Sequence, residues 1–197
     1  MERKFKPPLR FTASGCLYFA FLILIVPLPW VACWMLAIVV HEASHCIALW
    51  IAGKRIHEIT FGIGGARIAT EPLSDLQSLA CSLAGPAGGL LLLLAARKFP
   101  IIALCALIQS LFNLIPVFPL DGGRALYAFV NILFPAHRSR VIYSWIERGM
   151  QAMFFILCIR MLLVWKLGML PVAMIFLIVA NLMKRKISCK DGIYAVQ

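Results

Sequence analysis

Long apolar runs are the feature of this sequence that most limits how the chain can fold. A helix needs about 20 apolar residues to cross the roughly 30 Å hydrocarbon core of a bilayer. Runs of about this length recur at approximately 12–29, 31–52, 76–96, 99–120, 150–165 and 168–183. We therefore predict an all-α polytopic membrane protein, with about six transmembrane helices in a single domain over residues 1–197.

Composition and charge support this class. Hydrophobic residues make up 62% of the chain and charged residues 14%, whereas soluble domains are nearer half apolar and a quarter charged. The net charge is +11, but the basic residues lie in short clusters between the runs. We therefore expect a lipid bilayer as partner and no nucleic acid. Apart from Arg97, Lys98, Arg160 and Lys166, every Lys and Arg lies on one side of the predicted membrane, which predicts cytosolic termini. The first run lacks a small-residue cleavage site at its end, so we expect a retained span rather than a signal peptide.

Two segments between the runs are long enough to be structured. Residues 56–70 alternate partly between apolar and polar side chains around Gly64-Gly65, which predicts a small β-hairpin. Such a hairpin could offer an edge strand to a protein substrate. Residues 121–149 contain Pro135 and a basic, partly aromatic stretch, which is typical of an interfacial amphipathic segment.

The second run carries the chemistry, in His41-Glu42-Ala43-Ser44-His45. Residues four apart lie on one face of a helix, so both imidazoles can bind one metal ion. Glu42 points about 100° away from His41, which excludes it as a third ligand but lets it act as general base on a water. Ionisable groups are costly within a bilayer unless they are ligated, paired or facing water. The alternative is a packed helix whose polar side chains bond to neighbouring helices.

A catalytic zinc site also needs a third protein ligand and an open position. Asp121 is the best candidate, because it follows Pro116 and Pro119, which disrupt the helix, and precedes glycines that permit a sharp turn. We expect it to be a non-helical carboxylate, tolerated only against protein, metal or water. An ordinary helix end with turn glycines is the alternative. Other possible donors follow the second run: His57, Glu58 and Glu71.

The two motifs in this order resemble the site-2 protease family of intramembrane zinc metalloproteases. The matching residues are His41–His45, followed by Asn113, Pro116 and Pro119-Leu-Asp-Gly-Gly. The resemblance extends over about residues 1–185, and within the family it is strongest to the sporulation proteases. It implies one Zn²⁺ per chain, held by His41, His45 and Asp121, with Glu42 as the catalytic base. It also implies that Asn113, Pro116 and Pro119 help to bind the substrate, at a site near the cytosolic face.

The resemblance also implies partners and a location. The substrate would be a membrane-associated protein precursor, in this branch the precursor of a sporulation sigma factor. Membrane regulatory or inhibitory proteins would control the enzyme, in the mother-cell membrane around the forespore. Gly89 stands where many members have Asn, so no polar role transfers to that position.

Two other functions use the same residues. Intramembrane His, Glu and Asp also mark ion pathways, so a transporter or proton-coupled channel is an alternative. The two halves of the sequence show no repeated span pattern, which many transporters have. A non-catalytic membrane scaffold is the third possibility. Arg160, within the fifth run, is expected to extend its charge toward the interface, and contact with a partner protein is the alternative.

Overall fold

The computed structural model describes residues 8–165, except positions 14–15, 17–19, 21–22, 25, 63–64 and 119. The chain divides into two compact units, Met1–Arg140 and Val141–Gln197. The sixth predicted run, 168–183, lies outside the described residues, and the first run is described only in part.

The described fold is mostly helical with a small three-stranded sheet. The elements, in chain order, are β1 (Leu9–Phe11), α1 (Leu28–Ile51), β2 (Ile56–Gly62), β3 (Gly65–Thr70), α2 (Asp75–Leu91), a 3-10 turn (Leu92–Ala95), α3 (Pro100–Asn113), α4 (Asp121–Leu133) and α5 (Ala136–Trp165). By length and composition, two helical segments of the described chain are able to cross a membrane: Leu28–Ile51 and Asp75–Ala95. The helix Pro100–Asn113 is apolar but shorter.

Helix α1 has well-defined ends. Proline near its first residue suits a position where the backbone N–H has no helical partner. At the other end Gly53 adopts φ +70°, and the Lys54 N–H donates to the Leu49 carbonyl at 3.0 Å. This glycine-based cap stops the helix after 24 residues. At 1.5 Å per residue the helix is about 36 Å long, enough to cross the hydrocarbon core.

The predicted hairpin over residues 56–70 is confirmed. Strands β2 and β3 pair antiparallel, with Ile59 opposite Ile68. The sequence analysis did not predict β1, which pairs in parallel with β2. Phe11 stacks on Phe61 at 5.1 Å between ring centroids, and Arg10 Nε lies 3.2 Å from Glu58 Oε1. A strand of three residues is too short to show the alternation by which strands are recognised.

Helix α2 is central to the helical packing, because it contacts α1, α3 and α4. It begins with a capping box, in which the Gln77 N–H donates to Ser74 Oγ and the Ser74 N–H donates to Gln77 Oε1. Its buried face is made of small or compact residues, including Gly85, Pro86, Gly88 and Gly89. Such residues let neighbouring helices approach closely.

The distribution of apolar residues is inverted relative to a soluble domain. The core cluster consists of Ala37, Cys105 and Ala106, while large apolar side chains such as Trp50 (78% exposed) and Leu94 (85% exposed) lie on the outside. Soluble proteins bury most of their large aliphatic side chains. A contiguous apolar exterior is expected where the helices contact lipid.

The fourth predicted run, 99–120, is not one helix. Helix α3 ends at Asn113, and residues 114–118 form a series of tight turns, with the Val117 N–H donating to the Ile115 carbonyl at 2.7 Å. Pro116 explains the early end, because it has no N–H to donate and it disfavours helical geometry at the residue before it.

Two expectations about the residues after this bend were wrong. Asp121 is the first residue of α4 rather than a non-helical carboxylate. Gly122 and Gly123 lie within the same helix, and neither has a positive φ. Their role is close approach: a Cβ at Gly122 would overlap the carbonyl of Leu114, and one at Gly123 would lie 2.5 Å from the backbone of Val117.

The segment 121–149, predicted to be interfacial and amphipathic, is divided between two helices. It contains α4, which packs its buried face against α2, and the first part of α5. The two helices are separated at Pro135. Helix α5 then continues through the fifth predicted run to Trp165, and Arg160 is exposed on it.

Candidate metal centre

Helix α1 places His41 and His45 on the same face, one turn apart. Their ring centroids are 4.9 Å apart and the rings are nearly perpendicular, at 81°. His41 is 2% exposed. The i, i+4 spacing brings both Nε2 atoms to one point between the helices.

Asp121 joins this pair from the N-terminus of α4. Its Oδ2 lies 3.0 Å from His41 Nε2 and 3.2 Å from His45 Nε2, and the two Nε2 atoms are 3.2 Å apart. The three atoms form a nearly equilateral triangle. Metal–ligand bonds of about 2.0–2.1 Å in a tetrahedral zinc site place the ligand atoms about 3.3 Å from one another. The triangle therefore has the dimensions of three corners of such a site.

The protonation of His45 explains why these atoms suit a cation. Its Nδ1 lies 2.7 Å from the backbone carbonyl of Cys81, which can only accept, so Nδ1 carries the proton. In the neutral ring Nε2 then presents a lone pair. That lone pair faces the Asp121 carboxylate, also an acceptor, and two acceptors at 3.2 Å need a proton or a metal ion between them.

The donor set fits a zinc ion. Two imidazole nitrogens and one carboxylate oxygen leave a fourth position for water or substrate. These three residues form a group able to hold one metal ion among the described residues. His41 Nδ1 is buried and has no hydrogen-bond partner in the described part of the chain.

The second oxygen of Asp121 faces a basic side chain. Arg124 Nη1 lies 4.0 Å from Asp121 Oδ1, and the Arg124 side chain is 35% exposed. This distance is too long for a hydrogen bond, so the interaction is electrostatic. The sequence pattern gives Arg124 no role at the site, although its position three residues after Asp121 places it on the same helical face.

The predicted base lies beside the ligands. Glu42 is half-buried on α1 and does not belong to the ligand group. Its carboxylate interacts electrostatically with His45. That Glu42 acts as the catalytic base stays a prediction.

The predicted substrate-binding residues lie at the end of α3 and beyond it. The Asn113 Nδ2 group donates to the Gln109 carbonyl at 3.1 Å. Pro116 is half-buried in the turns that precede α4, and Pro119 lies outside the described residues. The alternative donors His57, Glu58 and Glu71 are not in the ligand group that the described residues form.

An apolar groove of about 410 Å³ lies between the end of α1 and the start of α2. One of its lining residues is Cys81, whose carbonyl accepts a hydrogen bond from His45 Nδ1. Its lining is formed by Ala48, Ile51, Ala52, Leu76, Gln77, Ala80 and Cys81.

A solved structure resembles this chain over most of its length. The Site-2 Protease from Methanocaldococcus jannaschii aligns in structure with a TM-score of 0.59, covering 91% of this chain and 89% of that one. This chain has the site-2 protease fold. The two sequences are 22% identical, so the likeness establishes the fold alone.

A sequence relative has a consistent name. The Synechocystis protein "Putative zinc metalloprotease sll0528" is 36% identical over 110 residues. The alignment covers 48% of this chain but only 29% of the relative. No family model matches the sequence.

Proposed function

We propose that this protein is an intramembrane zinc metalloendopeptidase that cleaves a membrane-associated protein precursor near the cytosolic face. The observation that carries the proposal is the triangle of His41 Nε2, His45 Nε2 and Asp121 Oδ2, with sides of 3.0–3.2 Å. The three atoms come from two helices, and His41 and Asp121 are 80 residues apart in the sequence. The fold of a site-2 protease and a relative named as a zinc metalloprotease support the same conclusion.

The proposed chemistry is hydrolysis of a peptide bond. A zinc ion at this site would supply an acidified water and polarise the scissile carbonyl. Glu42 accepts the proton of the attacking water and then passes it to the leaving amine. His41, His45 and Asp121 hold the ion, and the Cys81 carbonyl keeps the His45 proton on Nδ1, away from it.

The proposed setting is a bilayer. Helix α1 is long enough to cross a membrane, yet only 17% of its most apolar stretch is buried among the residues described. The core helix of a soluble protein would be mostly buried. We propose six spans with both termini in the cytosol. His45 then lies six residues before the cytosolic end of α1, about 9 Å deep at 1.5 Å per residue.

The proposed substrate binds as an extended segment. The groove beside Cys81 accepts its apolar side chains, and Asn113 with the Pro116–Pro119 segment helps to position it. Strand β2 is paired on both sides, which leaves the outer edges of β1 and β3. We assign pairing with the substrate to β3, because it has six residues and β1 only three.

The sporulation proteases share the motif pair of this chain, so a sigma-factor precursor is the first substrate to test. Membrane proteins that inhibit the enzyme until a signal arrives are the corresponding regulatory partners. Under this proposal the enzyme lies in the mother-cell membrane around the forespore.

Co-expression with candidate precursors tests the proposal, using wild type and the variant Glu42→Gln. We expect both to bind about one zinc per chain and only the wild type to release a cleaved product, with general-base loss costing about 10²–10⁴-fold in rate. Equal cleavage by both forms would remove Glu42 as the base. If the wild type cleaves no precursor and its ion flux in vesicles differs from that of Glu42→Gln, the transporter is favoured instead.

A further inference from the structure

One turn of α2 packs against the imidazoles of His41 and His45, although none of its side chains is a metal ligand. At Gly85, an added Cβ would overlap His45 Nε2 and would lie 2.6 Å from His45 Cε1 and 2.8 Å from His41 Nε2. Contacts below 3.0 Å essentially never occur for real Cβ atoms. The Nε2 atoms of His41 and His45 therefore lie in or beside the space that a side chain at position 85 would occupy.

The same turn orients His45. The Cys81 carbonyl, 2.7 Å from His45 Nδ1, lies four residues before Gly85 and so on the same face of α2. The His45 ring is thus fixed at two points: its Nδ1–H donates to Cys81, and its Nε2 edge faces the bare backbone of Gly85. If the ring moved away from position 85, the hydrogen bond from His45 Nδ1–H to the Cys81 carbonyl would have to lengthen.

Neighbouring glycines of α2 have different surroundings. At Gly89 an added Cβ would overlap the Ser110 hydroxyl, but its next contacts, including Ser110 Cβ, are at 3.6 Å. Ser110 Oγ is buried and has no hydrogen-bond partner within the described residues, so removing it costs little. The obstruction at Gly89 can be relieved by one substitution. At Gly85 the obstructing groups are the ligands themselves.

We propose that Gly85 is a positioning residue of the metal centre, and that with the Cys81 carbonyl it fixes the place, orientation and tautomer of His45. The inference rests on the proposed function only in requiring that the three ligands bind a metal ion. It assigns to α2 a role in metal binding that its side chains do not reveal.

The expected effect of Gly85→Ala is a loss of metal affinity. Removing groups that orient a ligand typically lowers metal affinity 10–100-fold. Here the methyl group also occupies the position of the ligand nitrogen, so we expect about 100-fold, the upper end of that range. The matched control is Gly89→Ala combined with Ser110→Ala, which we expect to bind metal within about three-fold of wild type, because the nearest atoms to a Cβ at Gly89 belong to Ser110 and Ala106 and not to the ligands.

The experiment uses the full chain in detergent, stripped of metal and titrated with Zn²⁺ against a competing chelator. Titration with Co²⁺ in parallel reports the ligand geometry through its visible absorption. Wild type is expected to bind one ion per chain. Gly85→Ala is expected to bind about 100-fold more weakly and to change the Co²⁺ spectrum, while the control pair keeps the wild-type spectrum.

A stability cycle separates positioning from a general packing defect. We compare the thermal unfolding of metal-free Gly85→Ala with that of the same substitution in a His45→Ala background. Overpacking destabilises well-packed cores, so we expect Gly85→Ala to lower the Tm, and we expect most of this loss to disappear once the His45 ring is removed. If Gly85→Ala alone does not fold, recovered folding in the His45→Ala background would equally show that the penalty comes from contact with the His45 ring.

The outcomes distinguish this inference from the proposed function. A wild-type chain that binds no stoichiometric metal would contradict the proposed function. A wild type that binds one ion, with Gly85→Ala equal to it in affinity and spectrum, would contradict the role of Gly85 alone. An undiminished penalty in the His45→Ala background would also contradict it.

Discussion

Replacing Asp121 by Asn removes the negative charge from the metal centre with little change in shape. In the structure Asp121 Oδ2 lies 3.0 and 3.2 Å from the two imidazole nitrogens, and it is the anionic member of the ligand group. A neutral amide oxygen is a much poorer zinc ligand. We expect zinc affinity to fall by at least about 100-fold, since even the loss of a group that only orients a ligand costs 10–100-fold.

The size of the effect on stability follows by linkage. With free zinc at about 1,000 times the dissociation constant, binding stabilises the wild type by about 4.1 kcal/mol. At the same zinc concentration a 100-fold weaker site gives no more than about 1.4 kcal/mol. For a chain of this size 1 kcal/mol shifts Tm by about 2–4 °C, so zinc should raise the wild-type Tm by about 8–16 °C and that of Asp121→Asn by about 3–6 °C or less.

The assay is a thermal scan of each protein in detergent, with and without zinc, so that any change in the metal-free protein cancels. Asp75→Asn is the matched control, because Asp75 is likewise the first residue of a helix but lies exposed, where Asn131 Nδ2 donates to it. We expect the control to keep the full zinc-dependent shift. A full wild-type shift in Asp121→Asn would refute the reasoning that Asp121 is a ligand.

Three smaller predictions follow from the surroundings of the site. Arg124→Ala should change zinc affinity by no more than a few-fold in the same titration, because a partly exposed charge 4.0 Å from Asp121 contributes about 0–1 kcal/mol. Ala48→Phe should fill the apolar groove and slow precursor cleavage at unchanged zinc content, whereas Val39→Phe, exposed elsewhere on α1, should not; equal rates would exclude the groove from substrate binding. Phe11→Ala should destabilise the sheet by about 0.5–1.5 kcal/mol beyond its lost burial, measured by denaturation, because it loses the ring stacked on Phe61.

The parts of the site that depend on spacing could be predicted from the sequence. His41 and His45 share a face because residues four apart always do on a helix. The hairpin over residues 56–70 could be predicted for a similar reason, since alternation reports a strand directly. Asp121 could be chosen as a candidate because it follows two prolines, but its helical conformation depends on how α4 packs against the preceding turns.

Other features leave no mark in the residue pattern. The partner of His45 is a backbone carbonyl, which every residue has, so nothing singles out Cys81. Gly85 matters through the space that it leaves, and this can be seen only when α1 and α2 are placed together. Gly122 was expected to make a turn and instead allows close backbone contact, because a glycine in a sequence does not reveal which of its two properties the fold uses.

X-ray absorption of the zinc-loaded protein measures the central claim most directly. The account predicts one zinc per chain with two imidazole nitrogens and oxygen ligands at about 2.0–2.2 Å, and a loss of one imidazole in His45→Ala. A spectrum dominated by sulfur at about 2.3 Å, or one that does not change when His45 is replaced, would contradict it.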